Sequence, residues 1–271
     1  MWSRERPLVE AVAEAEVILP SNAPFDATVV QAATRACLIQ QPAAGYENID
    51  LGAAKARGLP VCNAPATNEV SVAEAALYLM LSLARRANEA RVAFASAAIG
   101  TPLGVELRGR TLVTVGRGRS AQALAGMARG LGMEVVLLGS DAAAEAWRYA
   151  LTRAHFVSLH CPLTPRTRGM FDDARFAQLR GAYLVNCARG GIVDRGALER
   201  ALDRGHCRGV GLDVHWQEPW DPTDPFYARP EVVVLPHVAG STEEAFDRVA
   251  AIVAENVARL TRGEPLLHRV V

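Results

Sequence analysis

Residues 111–121 read Thr-Leu-Val-Thr-Val-Gly-Arg-Gly-Arg-Ser-Ala, a short apolar run followed by the pattern G-x-G-x-x-A. The run predicts a buried strand, and the residues from Ser120 onward predict a helix. Glycines at such a turn let a pyrophosphate approach the backbone amides at the amino terminus of the helix. An ordinary tight turn can carry the same glycines, so the place of the pattern in the chain matters.

Strand-like and helical patterns alternate on the carboxyl side of this stretch. The predicted strands are residues 111–115, 135–138, 156–160, 183–186, 210–214 and 232–235. The predicted helices are residues 120–131, 142–153, 172–179 and 194–204. Such alternation predicts a doubly wound parallel sheet with helices on both faces. Because the glycine pattern follows the first strand of this unit, dinucleotide binding is the favoured interpretation.

The first seventy residues contain three further strand-like runs, at 16–19, 36–40 and 59–62, and predict a smaller α/β lobe. An S-x-x-E capping box at Ser71 predicts the start of a long amphipathic helix that connects the two lobes.

A second capping box, at Ser241, predicts a carboxyl-terminal helix that ends at Gly263. Its predicted apolar face consists of Phe246, Val249, Val253, Val257 and Leu260. We therefore expect a discontinuous domain of residues 1–90 and 240–271, and a dinucleotide-binding domain of residues 91–239.

The composition is that of a globular protein, with 50% hydrophobic and 21% charged residues in a chain of 271. Lys plus Arg and Asp plus Glu both number 29, so no net charge favours nucleic acid or an anionic membrane. We expect a small-molecule partner, no nucleic acid and no membrane span. Residues 1–7 show no secretory signal.

The cysteines are odd in number, contain no C-x-x-C pair and mostly lie in apolar runs. This pattern favours reduced, buried thiols and a cytoplasmic location. The five positions are Cys37, Cys62, Cys161, Cys187 and Cys207.

Polar side chains follow three consecutive predicted strands: Arg189, then Glu218, then His237. Ligands of open parallel sheets bind at this carboxyl edge, so the three side chains can converge there. Hydride transfer to or from a 2-hydroxy acid needs an acid/base group, a carboxylate that orients it and a guanidinium for the substrate carboxylate. Taken singly, each residue can also be a solvated loop, turn or strand-end residue.

Two other histidines, His160 and His215, also lie near strand ends. Neither has a metal-ligand partner at a recognised spacing, so both are interpreted as structural or peripheral, and no metal site is predicted.

An ordered set of motifs resembles the D-2-hydroxyacid dehydrogenase family from about Glu16 to near the end of the chain. Besides the three strand-end segments, the motifs are Gly45-Tyr-Glu-Asn-Ile-Asp50, Pro60-Val-Cys-Asn-Ala-Pro65, Ser71-Val-Ala-Glu74 and Cys161-Pro-Leu-Thr-Pro165-x-Thr-Arg-Gly169. The resemblance implies a Rossmann cofactor domain, a flavodoxin-like substrate domain and a homodimer that pairs through the cofactor domain. The apolar segment 92–98, with Leu103 and Val105, is well placed for that contact.

The resemblance also implies roles for individual residues. Arg189 binds the substrate, His237 is the acid/base, Glu218 supports its protonated form, and the amides of Ala43 and Ala44 help hold the substrate carboxylate. The implied substrate-binding residues are therefore Ala43, Ala44, Arg189 and His237. Cofactor binding is expected at Gly116, Gly118, Arg119, Ser120, Ser140, Cys161, Cys187, Ala188, Arg189, Asp213, His237 and Gly240, with Asp213 at the nicotinamide carboxamide.

The chain departs from the family pattern at the cofactor motif. Ala121 replaces the third glycine, Ser120 replaces the usual Ile, and Gly139-Ser140 stands where an acidic residue is expected. An acid at this strand end normally binds the ribose hydroxyls of NAD and repels a 2′-phosphate. No arginine follows Ser140, and Asp141, two positions after Gly139, is an alternative acceptor that would restore the preference for NAD. The missing acid at the strand end predicts relaxed selectivity, with NADP used at least as well as NAD. Both lobes are expected to be shortened.

Two functions follow from these residues. The first is an NAD(P)-dependent oxidoreductase of a small 2-hydroxy or 2-oxo acid, and the alternative is a catalytically weak NAD(P)-binding regulatory protein of the same fold. Formate dehydrogenase is disfavoured because that branch carries Gln where Glu218 stands.

Overall fold

The computed structural model describes residues 6–21 and 23–271, which divide into two units. One comprises Met1–Asn68 and Thr242–Val271, and the other comprises Glu69–Ser241. Residues 1–5, on which the prediction of no secretory signal partly rests, lie outside the described residues.

The smaller unit is a three-stranded parallel sheet, in the order β1-β2-β3, with helices between its strands. Its elements are α1 Leu8–Val12, β1 Val17–Ile18, α2 Ala27–Ala32, β2 Leu38–Gln40, α3 Leu51–Ala56, β3 Val61–Cys62 and α10 Glu243–Arg262. Asp26 and Asp50 cap α2 and α3 by accepting backbone N–H groups. The core contains Phe25, Val30 and Ile39. The predicted small α/β lobe is confirmed.

Helix α10 begins one residue later than its predicted capping box. The hydroxyl of Thr242, rather than that of Ser241, accepts the N–H of Ala245 at 3.2 Å, because Thr242 has the extended backbone that an N-cap requires. Gly263 ends the helix in the left-handed conformation, as predicted. The expected apolar face is only partly buried, since Phe246 is exposed while Val249 is buried.

The larger unit is a six-stranded, fully parallel sheet in the order β5-β4-β6-β7-β8-β9. Its strands are β4 Thr111–Val115, β5 Glu134–Leu138, β6 Phe156–Leu159, β7 Ala182–Asn186, β8 Cys207–Leu212 and β9 Val232–Val234. Its helices are α4 Glu69–Ala84, α5 Ala87–Ala95, α6 Arg119–Gly130, α7 Ala144–Leu151, α8 Asp173–Phe176 and α9 Arg195–Asp203. The doubly wound architecture is that predicted. Between β5 and β6 the described residues form α7 and no further strand.

Helix α4 belongs to the larger unit. Its buried residues Leu79 and Leu83 pack in one cluster with Leu112 and Phe156 of the sheet, and a Cβ added to Gly211 of β8 would lie 2.9 Å from the Cβ of Leu79. The division therefore falls after Asn68 and Ser241 instead of after residues 90 and 239.

Two sequence signals misplace element starts in this unit. Ser71 lies inside α4, which begins at Glu69, so Ser71 is not the N-cap. Strand β8 begins at Cys207, before the predicted start at residue 210, because the register with β7 extends back to Ala182. Arg208 and Gly209 have little strand propensity, so pairing with the neighbouring strand determines where β8 begins.

Candidate active site

The predicted cofactor and catalytic residues of the larger unit follow the carboxyl ends of β4 to β9. Arg119 and Ser120 open α6 after β4, and Ser140 follows β5. Cys161 follows β6, Cys187 to Arg189 follow β7, Asp213 follows β8, and His237 to Gly240 follow β9. Because every strand pair is parallel, these segments share one edge of the sheet.

The turn after β4 has the geometry of a phosphate cradle. Gly116 has φ +118°, and a Cβ added there would lie 2.4 Å from the carbonyl oxygen of His160, so only glycine fits. At Gly118, the N-cap of α6, an added Cβ would meet nothing within 4 Å, and no described side chain caps the helix. The first turn of α6 therefore has no side-chain cap, and its N–H groups can donate to a pyrophosphate.

A partly buried chain of hydrogen bonds supports Ser120 at this turn. His160 Nδ1 lies 3.1 Å from Ser120 Oγ, and His160 Nε2 lies 2.9 Å from Ser158 Oγ. Burial lowers the pKa of His160 to about 4, so the ring is neutral near pH 7, with one donor and one acceptor nitrogen. The buried Ser158 hydroxyl can donate to Nε2, which makes Nδ1 the donor to Ser120. The Ser120 hydroxyl is then left to donate to a ligand.

Two charged side chains, one after β4 and one after β5, lie beside the end of β5, where Gly139 leaves room for them. A Cβ added to Gly139 would lie 2.5 Å from Asp141 Oδ1 and 3.1 Å from both Cζ and Nη2 of Arg117. The sequence did not identify Arg117 as a positive charge beside the end of β5, because an arginine was expected only after Ser140. The available signal was the pairing of neighbouring strands, which places the residue between the two motif glycines beside the end of β5.

Glu218 and His237 form the central pair of the site. Glu218 Oε2 accepts a hydrogen bond from His237 Nδ1 at 2.6 Å, and Glu218 Oε1 accepts the N–H of His215 at 2.9 Å. His237 has φ +56°, in the left-handed region that a residue with a side chain rarely adopts. The second ring nitrogen, Nε2, is thereby available for proton transfer.

The hydrogen bond to Glu218 raises the pKa of His237 above its usual value, against the opposing effects of burial and of the Arg189 charge. Burial alone would raise the pKa of Glu218, but hydrogen bonds from His237 and from the backbone of His215 lower it overall. The pair therefore favours a protonated imidazole beside an ionised carboxylate.

Asp213 anchors the turn that carries His237. Its side chain is buried, and its two oxygens accept the N–H groups of Val238 at 2.8 Å and Ala239 at 3.0 Å. These bonds fix the backbone directly after His237. The predicted contact of Asp213 with a nicotinamide carboxamide stays a prediction.

The Arg189 segment is held against the loop that carries Glu218. The Asn186 side chain accepts the N–H of Ala188 at 3.0 Å and donates to the carbonyl of Arg189 at 2.9 Å. A Cβ added to Gly190 would lie 2.1 Å from the carbonyl oxygen of His215, so the two segments touch through backbone. Arg189 is thus placed near enough for its charge to lower the pKa of His237.

The cysteines of the site are buried thiols. Burial raises the pKa of Cys161 to about 11 and raises that of Cys187 still further. Cys62 and Cys207 are also buried, and Cys37 is exposed. Four of the five are thus buried, which confirms that part of the prediction, and their reduced state stays a prediction.

Ala43 and Ala44 belong to the smaller unit. The Ala43 carbonyl accepts the N–H of Ala64 at 3.0 Å, and the Ala44 carbonyl accepts the Asn63 side chain at 2.8 Å. Their carbonyls are thus tied within that unit, and substrate binding by their amides stays a prediction.

Comparison with known proteins identifies the family. The sequence model described as "D-isomer specific 2-hydroxyacid dehydrogenase, NAD binding domain" matches residues 77–239. A glyoxylate reductase of Korarchaeum cryptofilum is 35% identical, covering 97% of this chain and 86% of the relative. The chain belongs to the D-isomer specific 2-hydroxyacid dehydrogenase family. Members of this family are oxidoreductases that use a nicotinamide cofactor and act on 2-hydroxy or 2-oxo acids.

Two further matches differ in extent. A D-3-phosphoglycerate dehydrogenase of Archaeoglobus fulgidus is 33% identical over 99% of this chain, but the chain spans only 53% of that relative. The crystal structure of a protein from Thermus thermophilus superposes with a TM-score of 0.90 at 34% identity, covering 100% of this chain and 91% of that chain. That protein and this chain therefore share a fold.

Within residues 6–21 and 23–271, no helix combines the length and apolar character needed to cross a membrane. The same described residues contain no cluster of three His, Cys, Asp or Glu side chains suited to a metal ion.

Proposed function

We propose that the chain is an NAD(P)-dependent reductase of small 2-oxo acids, and the dehydrogenase of the corresponding 2-hydroxy acids. The observation that carries the proposal is the 2.6 Å hydrogen bond between His237 and Glu218, with Arg189 held beside them. A protonated imidazole, an orienting carboxylate and a guanidinium are the groups that this reaction requires.

His237 is the acid/base. When bound at the strand ends, a nicotinamide would supply the hydride for reduction of the substrate carbonyl carbon and would accept it in oxidation. During reduction, His237 Nε2 gives a proton to the carbonyl oxygen, and Glu218 stabilises the charged ring before the transfer. During oxidation, neutral His237 removes the hydroxyl proton, and the same hydrogen bond stabilises the imidazolium that forms.

Arg189 holds the substrate carboxylate through its planar guanidinium, which matches a carboxylate in two parallel hydrogen bonds. The amides of Ala43 and Ala44 assist in binding the carboxylate. Gly118, Arg119 and Ser120 would hold the cofactor pyrophosphate, because no described side chain caps the helix there. NADP is used at least as well as NAD, because Gly139 carries no acid and the Asp141 carboxylate near this position is opposed by the Arg117 guanidinium.

The proposed assembly is a homodimer formed through the larger unit. Phe94, Ile99 and Leu103 are 88%, 99% and 87% exposed, and a monomer rarely leaves so many large apolar side chains in water within one short segment. In the proposed homodimer, the same segment of the second copy buries these three side chains. A cytoplasmic location stays a prediction.

The test is an assay of glyoxylate, hydroxypyruvate, pyruvate and phenylpyruvate with NADH and with NADPH. We expect turnover of at least one acid, and a loss of about two to four orders of magnitude in the His237→Ala variant with cofactor binding retained. Tight cofactor binding without turnover of any acid would overturn the proposal in favour of the regulatory alternative.

A further inference from the structure

We infer that Arg117 is the residue with which this chain recognises a 2′-phosphate on the adenosine ribose, and that Asp141 opposes it as the acceptor for an unphosphorylated ribose. This assignment rests on the proposed function only for the presence of the adenine dinucleotide. It names the side chains that decide which form of the cofactor is bound.

The geometry places both charges at one point. The guanidinium of Arg117 and the carboxylate of Asp141 flank the position that a Cβ of residue 139 would occupy, at 3.1 and 2.5 Å. Gly139 itself is buried beneath them, whereas Arg117 and Asp141 are exposed. No ion pair joins these two side chains within the described residues, so each keeps hydrogen-bonding capacity for a ligand.

The strand register brings Arg117 to this point. Val115 of β4 pairs with Leu138 of β5, and the N–H of Gly116 donates to the carbonyl of Leu138 at 2.8 Å. Residues 117 and 139 therefore leave neighbouring strands side by side. The Gln122 side chain donates to the Arg117 carbonyl at 2.9 Å, which steadies the backbone that carries the guanidinium.

The two charges act in opposite directions on the two ribose forms. A phosphate dianion accepts hydrogen bonds from a guanidinium and is repelled by a carboxylate. Two ribose hydroxyls donate to a carboxylate and gain little from a guanidinium. A site that contains both groups binds both cofactor forms. Removal of either group shifts the preference toward one of the two forms.

The test is calorimetric titration of the full chain with adenosine 2′,5′-bisphosphate and with adenosine 5′-monophosphate, which differ only in the 2′-phosphate. We expect Arg117→Met to weaken the bisphosphate at least tenfold, about 1.4 kcal/mol, while the monophosphate changes less than twofold. Arg117→Lys retains the charge and should recover part of the loss. Asp141→Asn should tighten the bisphosphate and so move the ratio of the two dissociation constants the other way.

Arg129→Met is the matched control, because it removes the same charge from the last turn of α6 and should leave the ratio unchanged. A ratio that stays within twofold of the unmodified chain in a folded Arg117→Met variant overturns the assignment. The two adenosine phosphates measure binding and not turnover. If no 2-oxo acid is turned over in the substrate assay, the proposed reaction is rejected, but the roles of Arg117 and Asp141 are still tested by these titrations.

Discussion

His237 Nδ1 and Glu218 Oε2 are 2.6 Å apart, and the second oxygen of the same carboxylate accepts the backbone N–H of His215. Glu218 is therefore fixed from two sides, and the imidazole has one orientation in which to bind it. The raised pKa of His237 and the lowered pKa of Glu218 are two consequences of this hydrogen bond.

The first prediction concerns pH. Since Glu218 raises the pKa of His237, the protonated ring that reduction requires persists to higher pH than an ordinary histidine allows, and reduction is lost as pH rises through that pKa. In Glu218→Gln the carboxylate charge is gone, so we expect the descending limb of kcat against pH to move to lower pH. A limb that stays in place would show that Glu218 does not set the pKa.

The second prediction concerns Arg189. Lysine keeps the positive charge but lacks the planar fork, so Arg189→Lys should raise KM for the 2-oxo acid and lower kcat, together by about tenfold or more in kcat/KM. Cofactor affinity should change little. Arg195→Lys, on α9, is the comparison variant, and equal kinetics for the Arg189 and Arg195 variants would assign Arg189 a purely structural role.

The third prediction concerns assembly. Light scattering at micromolar concentration should give twice the 29.0 kDa chain mass, and Phe94→Glu should shift it toward the single-chain value, because a buried unpaired charge is costly at an interface. Tyr149→Ser removes another exposed aromatic side chain, on α7, and should leave the mass unchanged. A single-chain mass for the unmodified protein would contradict the prediction.

The fourth prediction concerns the chain from Ser158 through His160 to Ser120. Ser120→Ala and Ser158→Ala should each weaken NADH and NADPH by the same factor, about three- to tenfold, since one donor to the pyrophosphate is lost or misdirected. In the double variant the second change should add little, because both act through one hydroxyl. Fluorescence titration provides four dissociation constants for each cofactor, and additive losses would refute the coupling.

The sequence predicted the elements well where packing and local signals agree. The β-branched runs at 111–115 and 232–235 became β4 and β9, and Gly263 ended α10 as its conformation requires. Capping boxes were less reliable, because a serine at the right spacing does not show which residue has extended backbone. Ser71 and Ser241 both failed for this reason.

The parts of the site that sequence could not predict are contacts between segments far apart in the chain. The approach of Gly190 to the His215 carbonyl and the placement of Arg117 beside Gly139 both depend on neighbouring strands in the sheet. Sequence spacing gives the residues at each strand end. It does not give the distances between those ends.

The left-handed backbone of His237 has a cost that the fold must offset. A residue with a Cβ gives up about 1 kcal/mol or more in this conformation, and the two hydrogen bonds from Val238 and Ala239 to Asp213 hold it there. Replacing His237 by glycine relieves the strain, whereas alanine retains it, so the glycine variant should melt at the higher temperature although both lack the imidazole. The backbone conformation that orients His237 thus lowers the thermal stability of the fold. A search for stabilising substitutions would therefore select against the residue that the reaction requires.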